Sequence, residues 1–186
     1  MTPAEIKDIL KKRLKESRYL HSLGVADTAK KLAEIYGIDS QKAYLAGLVH
    51  DCAKGYTDDE LKSKVMHYGI SLDECSLSSP QLLHSFVGAC ELEEYFGIDD
   101  AEIFDAVYYH TIGKGNMPLL TAIVYIADAI EPLRDYPGVE EIRTAAFESL
   151  HKAIYMYTRD MTDYVLAKGQ KVHPNAYEVI KYYESK

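Results

Sequence analysis

The segment Gly47-Leu-Val-His-Asp-Cys-Ala-Lys54 decides how the rest of the chain is interpreted. In this segment an apolar helical pattern ends at the adjacent pair His50-Asp51, and Lys54 follows one turn later. Imidazole and carboxylate together are the ligand set of a divalent metal such as iron, manganese or zinc. Because neighbouring residues of a helix point about 100° apart, both can flank one metal only near the helix surface. Other segments must therefore supply the remaining ligands.

Further ionisable residues stand in strongly patterned segments of their own. Asp128 ends the apolar stretch Ile123-Val-Tyr-Ile-Ala-Asp128, where burial of an unpaired carboxylate would be costly. Three more histidines, at positions 21, 84 and 110, join His50, Asp51 and Asp128. Six such residues are hard to place in an ordinary hydrophobic core, since buried polar groups need partners. A lone histidine such as His67 is better explained as a surface or core residue. The pattern as a whole predicts a metal site in the core of a helical bundle.

Helical periodicity extends along almost the whole chain. Helices are predicted from Thr2-Pro3 onward, over about 19–36, from Ser40 through His50, from Thr57 to Gly69, from Ser79-Pro80 to Gly97, over about 100–111, from Pro118 to Asp128, over about 138–168, and after His173-Pro174. No window shows the sustained period-two alternation that is typical of a strand. We therefore predict an all-α fold in which residues 1–186 form a single domain.

Composition limits the partners that this chain can have. Its formal net charge of −8 over 186 residues argues against a nucleic-acid polymer. An anionic small substrate would need local cations, which directs attention to individual Lys and Arg residues. The three cysteines form no CxxC pair, and no run approaches the ~18 apolar residues of a membrane span. With no apolar signal peptide at its start, the protein is expected to be cytoplasmic, without a membrane partner, and a homodimer is left open.

Several segments match a known family. They are Arg18-Tyr-Leu-His21-Ser-Leu-Gly-Val25, His50-Asp-Cys-Ala-Lys54, Leu82-Leu-His84-Ser, His110-Thr-Ile-Gly113, Ala127-Asp-Ala-Ile-Glu-Pro-Leu-Arg134 with Pro137-Gly-Val, and Val172-His-Pro174. On these residues, over about 17–180, the chain resembles the HD-domain phosphohydrolase superfamily. Within it, the chain is similar to the bacterial YqeK-type symmetrical bis(5'-nucleosyl)-tetraphosphatases. Ile112 departs from the pattern, because a small hydroxyl residue is expected there.

The resemblance implies an HD-type helical bundle that works as a metal-dependent hydrolase. The implied reaction splits diadenosine tetraphosphate (Ap4A) at its centre into two ADP. Iron is the implied metal, with manganese, cobalt or zinc as alternatives. The implied metal ligands are His21, His50, Asp51 and Asp128.

The same chemistry can be argued from the residue types. In-line attack of water on a phosphoanhydride needs an activated nucleophile and cations for the phosphate oxygens. Asp51 can accept the proton of the water, and Lys54 can reach back to the phosphates. Arg134 offers a bidentate fork for a phosphate group. His84 and His110 have two interpretations: phosphate-facing donors and proton relays, which we favour, or ligands of a second metal.

The predicted substrate contacts extend beyond the metal ligands. Loop 169–174 is a candidate lip over the nucleoside. The predicted nucleotide-binding residues are Arg18, His21, Lys54, His84, His110, Thr111, Arg134, Lys171, His173 and Pro174. One alternative function is an HD phosphohydrolase for a nucleoside monophosphate, a dNTP or (p)ppGpp. A second alternative is a non-catalytic regulatory module that binds metal or nucleotide, although such a module has no need of a water-activating metal.

Overall fold

The computed structural model of the protein describes residues 1–184 and is helical throughout, with no strand in that part of the chain. A 3₁₀ turn at Pro80–Leu82 precedes the sixth helix. The α-helices are α1 (Pro3–Arg13), α2 (Glu16–Tyr36), α3 (Ser40–Val49), α4 (Asp58–His67), α5 (Glu74–Leu77), α6 (Leu83–Cys90), α7 (Leu92–Phe96), α8 (Ala101–Tyr109), α9 (Leu119–Ile130), α10 (Val139–Glu148), α11 (Leu150–Ala167) and α12 (Pro174–Tyr183). The predicted all-α fold is confirmed.

Local side-chain signals explain where most helices begin and end. Thr2 and Thr57 each start a capping box, in which the hydroxyl accepts from the third helical backbone N–H and a glutamate reaches back. Asp39, one residue before the predicted helix start at Ser40, caps α3 by accepting from the backbone N–H groups of Gln41 and Lys42. Gly37 ends α2 with a φ of 73°, a left-handed conformation that glycine adopts without strain.

The nearly apolar helix α9 lies at the centre of the molecule. Ten of its twelve residues are buried, and it packs against α2, α3, α8 and α11. A first hydrophobic cluster surrounds α9, whereas a smaller second cluster joins α4 and α6 with Ile112. Cys52 belongs to the first cluster and Ala53 to the second. The pair His50-Asp51 therefore lies where the chain passes from one cluster to the other.

Two predicted helices are interrupted in the structure, and one short helix was not predicted. The single helix expected over 138–168 is broken at Ser149, whose extended backbone ends α10 and whose hydroxyl caps α11. The helix expected over 79–97 is a 3₁₀ turn followed by α6 and α7, which are separated at Glu91. The short helix α5 was not predicted.

Within residues 1–184, no helix is both long and apolar enough to cross a membrane.

Candidate metal centre

Five separate helices bring six histidine and aspartate side chains to one place. Four imidazole rings lie in a row, with 5.0 to 5.2 Å between successive ring centroids. All six residues are buried except Asp128, whose side chain is 17% exposed. The residues are His21 in α2, His50 at the end of α3, Asp51 directly after it, His84 in α6, His110 at the end of α8, and Asp128 in α9.

Each ring is oriented through its Nδ1 atom. The Nδ1 of His50 lies 2.7 Å from Gly47 O, and the Nδ1 of His110 lies 2.7 Å from Val107 O. His84 makes the same kind of contact with Gln81 O at 2.8 Å. Because a carbonyl oxygen can only accept, Nδ1 carries the proton in His50 and His110, and their Nε2 atoms keep the lone pair. The Nε2 atoms are therefore available as ligands.

On one side of the cluster, two Nε2 atoms face two carboxylates. The Nε2 of His21 lies 3.0 Å from Asp128 Oδ1 and 3.8 Å from Asp51 Oδ2. The Nε2 of His50 lies 3.5 Å from Asp51 Oδ2 and 3.9 Å from Asp128 Oδ1. Both nitrogens are buried without a hydrogen-bond partner. Buried polar atoms normally have a partner, so this donor set fits a divalent cation.

On the other side, the second oxygen of Asp51 meets the remaining two imidazoles. Asp51 Oδ1 lies 3.1 Å from His84 Nε2 and 3.5 Å from His110 Nε2. The two Nε2 atoms are 3.1 Å apart, and the hydroxyl oxygen of Thr111 lies 3.1 Å from the Nε2 atom of His110. Asp51 thus directs one oxygen to the pair His21 and His50 and the other to the pair His84 and His110. In each case the aspartate and its two histidines are spaced closely enough to hold a metal ion.

The surroundings keep both aspartates ionised and His84 neutral. Burial opposes ionisation of Asp51, but His50, His110 and His84 hold the pKa of this carboxyl well below its usual range. Burial also opposes ionisation of Asp128, but its contacts with His21, His50 and Arg134 lower the pKa of Asp128 strongly. Burial lowers the pKa of His84 to about 4, against the effect of Asp51. Anionic carboxylates and neutral imidazoles are the protonation states that metal ligands require.

Three of the four predicted lysine and arginine contacts lie next to the cluster. Arg18 donates to Asp51 Oδ2 at 2.8 Å, and Arg134 donates to Asp128 Oδ1 at 2.5 Å and to Asp128 O at 2.7 Å. Lys54 Nζ lies 3.1 Å from His84 Nδ1 and 3.4 Å from Gln81 O, and burial lowers the pKa of Lys54. The two arginines therefore contact the aspartates of the cluster, whereas Lys54 contacts His84 at the ring nitrogen that faces away from Asp51.

The remaining predicted contacts lie at a cleft of about 320 Å³ that shares Thr111 with the cluster. Lys171 and His173 line this cleft, but Pro174 only begins α12. The ring of His173 is held by Asp73 Oδ2 and by Ser76 Oγ, each at 3.1 Å. Its other nitrogen accepts from the backbone N–H of Asn175 at 3.2 Å. His173 thus joins the loop before α12 to α5.

Sequence reasoning missed other residues of the site. Tyr125, Tyr157 and Met161 line the cleft, but their spacing is that of ordinary amphipathic packing. Glu131 is buried against His21, with 2.9 Å between Oε1 and Nδ1. The signals for Glu131 were its place in the family-matching segment 127–134 and its position directly after an apolar helix and before Pro132. Ile112, the departure from the expected hydroxyl residue, is buried and also lines the cleft.

Fold and site together define a helical protein with a buried histidine–aspartate centre that can hold a divalent metal. The chain belongs to the HD domain family, whose model matches residues 18–133. Proteins named "Bis(5'-nucleosyl)-tetraphosphatase, symmetrical" are similar to it in three bacteria. The Halalkalibacterium halodurans protein is 38% identical over 90% of this chain and 89% of its own, and the Bacillus subtilis protein is 37% identical over 90% of each. The Staphylococcus aureus protein is 38% identical over 98% of this chain and 95% of its own.

A solved structure agrees with this assignment. It is a Clostridium acetobutylicum protein described as a predicted HD superfamily hydrolase involved in NAD metabolism. It is 42% identical to this chain, covers all of it and 98% of its own length, and superposes with a TM-score of 0.95. The resemblance to the HD superfamily and to its symmetrical tetraphosphatases is therefore confirmed.

Proposed function

We propose that this protein is a symmetrical bis(5'-nucleosyl)-tetraphosphatase that hydrolyses Ap4A to two ADP. The relatives that carry this name match nine-tenths or more of the chain. The observation that carries the proposal is the position of Asp51, with one oxygen on His21 and His50 and the other on His84 and His110. A divalent metal bound there would lower the pKa of a bound water and polarise a phosphoryl oxygen.

The proposed metal ligands are His21, His50, Asp51 and Asp128. Two orphaned Nε2 atoms and two ionised carboxylates support this set. Mixed nitrogen and oxygen donors suit iron, manganese, cobalt and zinc alike, and geometry and availability decide between them. We propose iron as the resident metal.

For His84 and His110, the distances favour ligation of a second cation over phosphate contacts. His110 Nδ1 donates to a carbonyl, so its Nε2 is a lone pair that faces the acceptor Asp51 Oδ1. His84 Nε2 points at the same oxygen. A cation that lies between Asp51 Oδ1 and these two nitrogens would be attracted to all three atoms. The metal content per chain distinguishes the two roles, because phosphate-facing histidines require only one ion.

The chain's own residues orient the reaction and receive its charge. Asp51 is held ionised from both sides, which makes it an orienting group more than an acceptor for the proton of water. Water attacks one of the two central phosphorus atoms, and the bond from that phosphorus to the bridging oxygen breaks. One ADP then carries the oxygen of water, and the other leaves with the bridging oxygen and its growing negative charge. We place Lys54 and Arg134 against that charge, and the water's proton is released to solvent.

One nucleoside of the substrate would lie in the cleft beside Thr111. This cleft touches the metal cluster through Thr111 and is lined by Tyr125, Tyr157 and Lys171. Aromatic and apolar walls with a few polar groups are typical of sites for small molecules. A single HD domain over residues 1–186 and assembly as a homodimer stay predictions.

The proposal is tested by hydrolysis of Ap4A in heavy-oxygen water, followed by chromatography and mass spectrometry of the products. We expect ADP alone, with one of each two molecules labelled, and no turnover by His50→Ala. ATP with AMP would mean asymmetric attack and would contradict the proposal. Turnover of a nucleoside monophosphate, a dNTP or (p)ppGpp in preference to Ap4A would instead support the alternative HD activities. No turnover by the metal-replete protein would favour the binding module.

A further inference from the structure

We propose that Glu131 is a positioning residue that orients His21 for metal binding, and that Gly24 provides the space for its carboxylate. The inference rests on the metal centre proposed above and concerns what holds one of its ligands in place. Glu131 touches none of the reacting atoms in this scheme. It acts through the His21 ring.

Both oxygens of Glu131 are engaged. Oε1 lies 2.9 Å from His21 Nδ1, and Oε2 accepts from the backbone N–H of Leu133 at 2.7 Å. The residue is 1% exposed, so solvent does not compete for the carboxylate. A carboxylate fixed at both oxygens holds the imidazole in one orientation and leaves Nε2 facing Asp128 Oδ1 at 3.0 Å. Such a partner on the far side of the ring also raises the basicity of a ligand histidine.

The position of His21 explains why it needs a side-chain partner. His50 and His110 follow the ends of α3 and α8, where the carbonyls of the last turn lack a partner within the helix. Each ring uses one of these carbonyls, Gly47 O or Val107 O. His21 lies inside α2, where backbone N–H groups occupy the carbonyls. The partner for its Nδ1 therefore comes from outside, at the end of α9.

Gly24 lies one turn after His21 on the same helix. A Cβ atom at this position would be 2.6 Å from Glu131 Oε2, which is closer than real Cβ contacts come. Glycine is less favourable than alanine in a helix interior, so the residue has a local cost. The space that it leaves is occupied by the Glu131 carboxylate. Gly24 and Glu131 thus form one unit that fixes the His21 ring.

The unit also selects the tautomer of His21. A carboxylate can only accept, so Nδ1 carries the proton and Nε2 is free to bind metal. In Glu131→Gln, the amide can donate to Nδ1, which moves the ring proton to Nε2 and directs it at Asp128. This variant keeps the size of the side chain, replaces the acceptor that faces Nδ1 by a donor, and removes the negative charge of the carboxylate.

The test is calorimetric titration of Mn²⁺ into metal-free protein. Glu131→Gln should bind Mn²⁺ roughly 10–100-fold more weakly than wild type, the usual effect of losing such a partner. In the metal-free protein, the ¹⁵N resonances of His21 should show a proton on Nδ1 in wild type and on Nε2 in Glu131→Gln. Glu131→Asp, which keeps the carboxylate, should recover part of the affinity.

Glu91→Gln is the matched control, because Glu91 is also a fully buried carboxylate, held by Arg13, Tyr56 and Lys64. It should keep wild-type affinity for Mn²⁺. Wild-type affinity in Glu131→Gln, an unchanged His21 tautomer, or an equal loss in Glu91→Gln would each overturn the proposal. If Glu131→Gln does not fold, Gly24→Ala gives the answer, since its Cβ displaces the carboxylate without removing it and should weaken Mn²⁺ binding.

The outcome is separable from failure of the metal centre itself. His50→Ala should lose Mn²⁺ binding if the centre is assigned correctly. Normal binding by His50→Ala would reject the centre. Loss in His50→Ala with normal binding in both Glu131→Gln and Gly24→Ala would reject only the positioning role.

Discussion

Arg134 contacts the proposed metal ligand Asp128 and is also a proposed contact of the substrate phosphates. Its Nε and Nη2 atoms both donate to Asp128, and the side chain remains 35% exposed. Burial opposes its charge, but the Asp128 carboxylate raises the pKa of Arg134. The exposed part of the guanidinium faces away from the apolar core, where a phosphate can reach it. The residue can therefore hold a metal ligand and neutralise a leaving group in the same position.

Replacement of Arg134 should reduce the rate far more than it disturbs the fold. Loss of a preorganised donor to developing charge costs about 2.7–4 kcal/mol, so Arg134→Ala should turn over Ap4A roughly a hundred- to thousandfold more slowly. Arg134→Lys should recover only part, because an ammonium group lacks the planar fork. The measurements are kcat, KM and metal content. Arg159→Ala, an exposed arginine paired with Asp160, is the control.

Two results would change the role of Arg134. A wild-type rate in Arg134→Ala, at both saturating and subsaturating Ap4A, would remove it from the reaction. Loss of metal from the same variant would show that its main task is to hold Asp128.

Among the helices, α3 and α8 deliver their histidines in the same way. Each helix ends directly before a cluster histidine, and each ring donates to a carbonyl of the final turn.

Near the cleft, a side-chain contact joins the short helix α5 to the loop before α12. Asp73 caps α5 by accepting from the Ser76 backbone and hydroxyl, and it also accepts from His173. This contact holds the loop before α12, which lines the cleft, against α5.

Asp73→Ala should weaken substrate binding without changing the chemical step. It removes a cap worth about 1 kcal/mol and one of the two side-chain partners of His173 Nε2, so the loop that carries Lys171 is held less firmly. We expect a higher KM for Ap4A with kcat retained, and faster hydrogen exchange over residues 70–79 and 169–173. Thr57→Ala, which removes the cap of α4, should destabilise the protein similarly and leave KM unchanged. A KM that does not rise in Asp73→Ala would place the nucleoside elsewhere.

For the whole molecule, the metal centre lies between two hydrophobic clusters and is built from five helices. Asp51, which is buried, and Asp128, whose side chain is 17% exposed, are both anions there. Apart from Arg18 on Asp51 and Arg134 on Asp128, their polar neighbours are imidazoles, and both carboxylates lose much of their hydration. A bound cation should therefore stabilise the packing of all five helices together.

Metal binding should raise the thermal stability of the entire domain. With Mn²⁺ at roughly 100 times its Kd, the free energy of unfolding should rise by about 2.7 kcal/mol. At about 2–4 °C per kcal/mol, Tm should rise by roughly 5–10 °C, and a chelator should reverse the change. Calorimetry of wild type, His50→Ala and the exposed control His67→Ala tests this expectation. A similar Mn²⁺ effect in His50→Ala would contradict the assigned site.

The sequence by itself determined the helical class, most helix positions and the residues that meet in the cluster. These features depend on local signals: apolar periodicity, capping residues such as Thr2 and Thr57, and ionisable residues in apolar segments. Each acts within a few residues of the chain, so the sequence displays it directly. The grouping of His21, His50, Asp51 and Asp128 could be predicted because the segment patterns, together with the family resemblance, required a common partner.

Only the tertiary structure decided how the cluster is arranged. It showed that Asp51 directs one oxygen to each pair of histidines, and that Arg18 and Arg134 lie on the two aspartates. Glu131 meets His21 across 110 residues of chain, a contact that no local pattern indicates. The break at Ser149 has a local signal, the hydroxyl that caps α11, but it was missed because the apolar periodicity continues across it. Side-chain partners over long separations follow from how whole helices pack, and that information lies in no single segment.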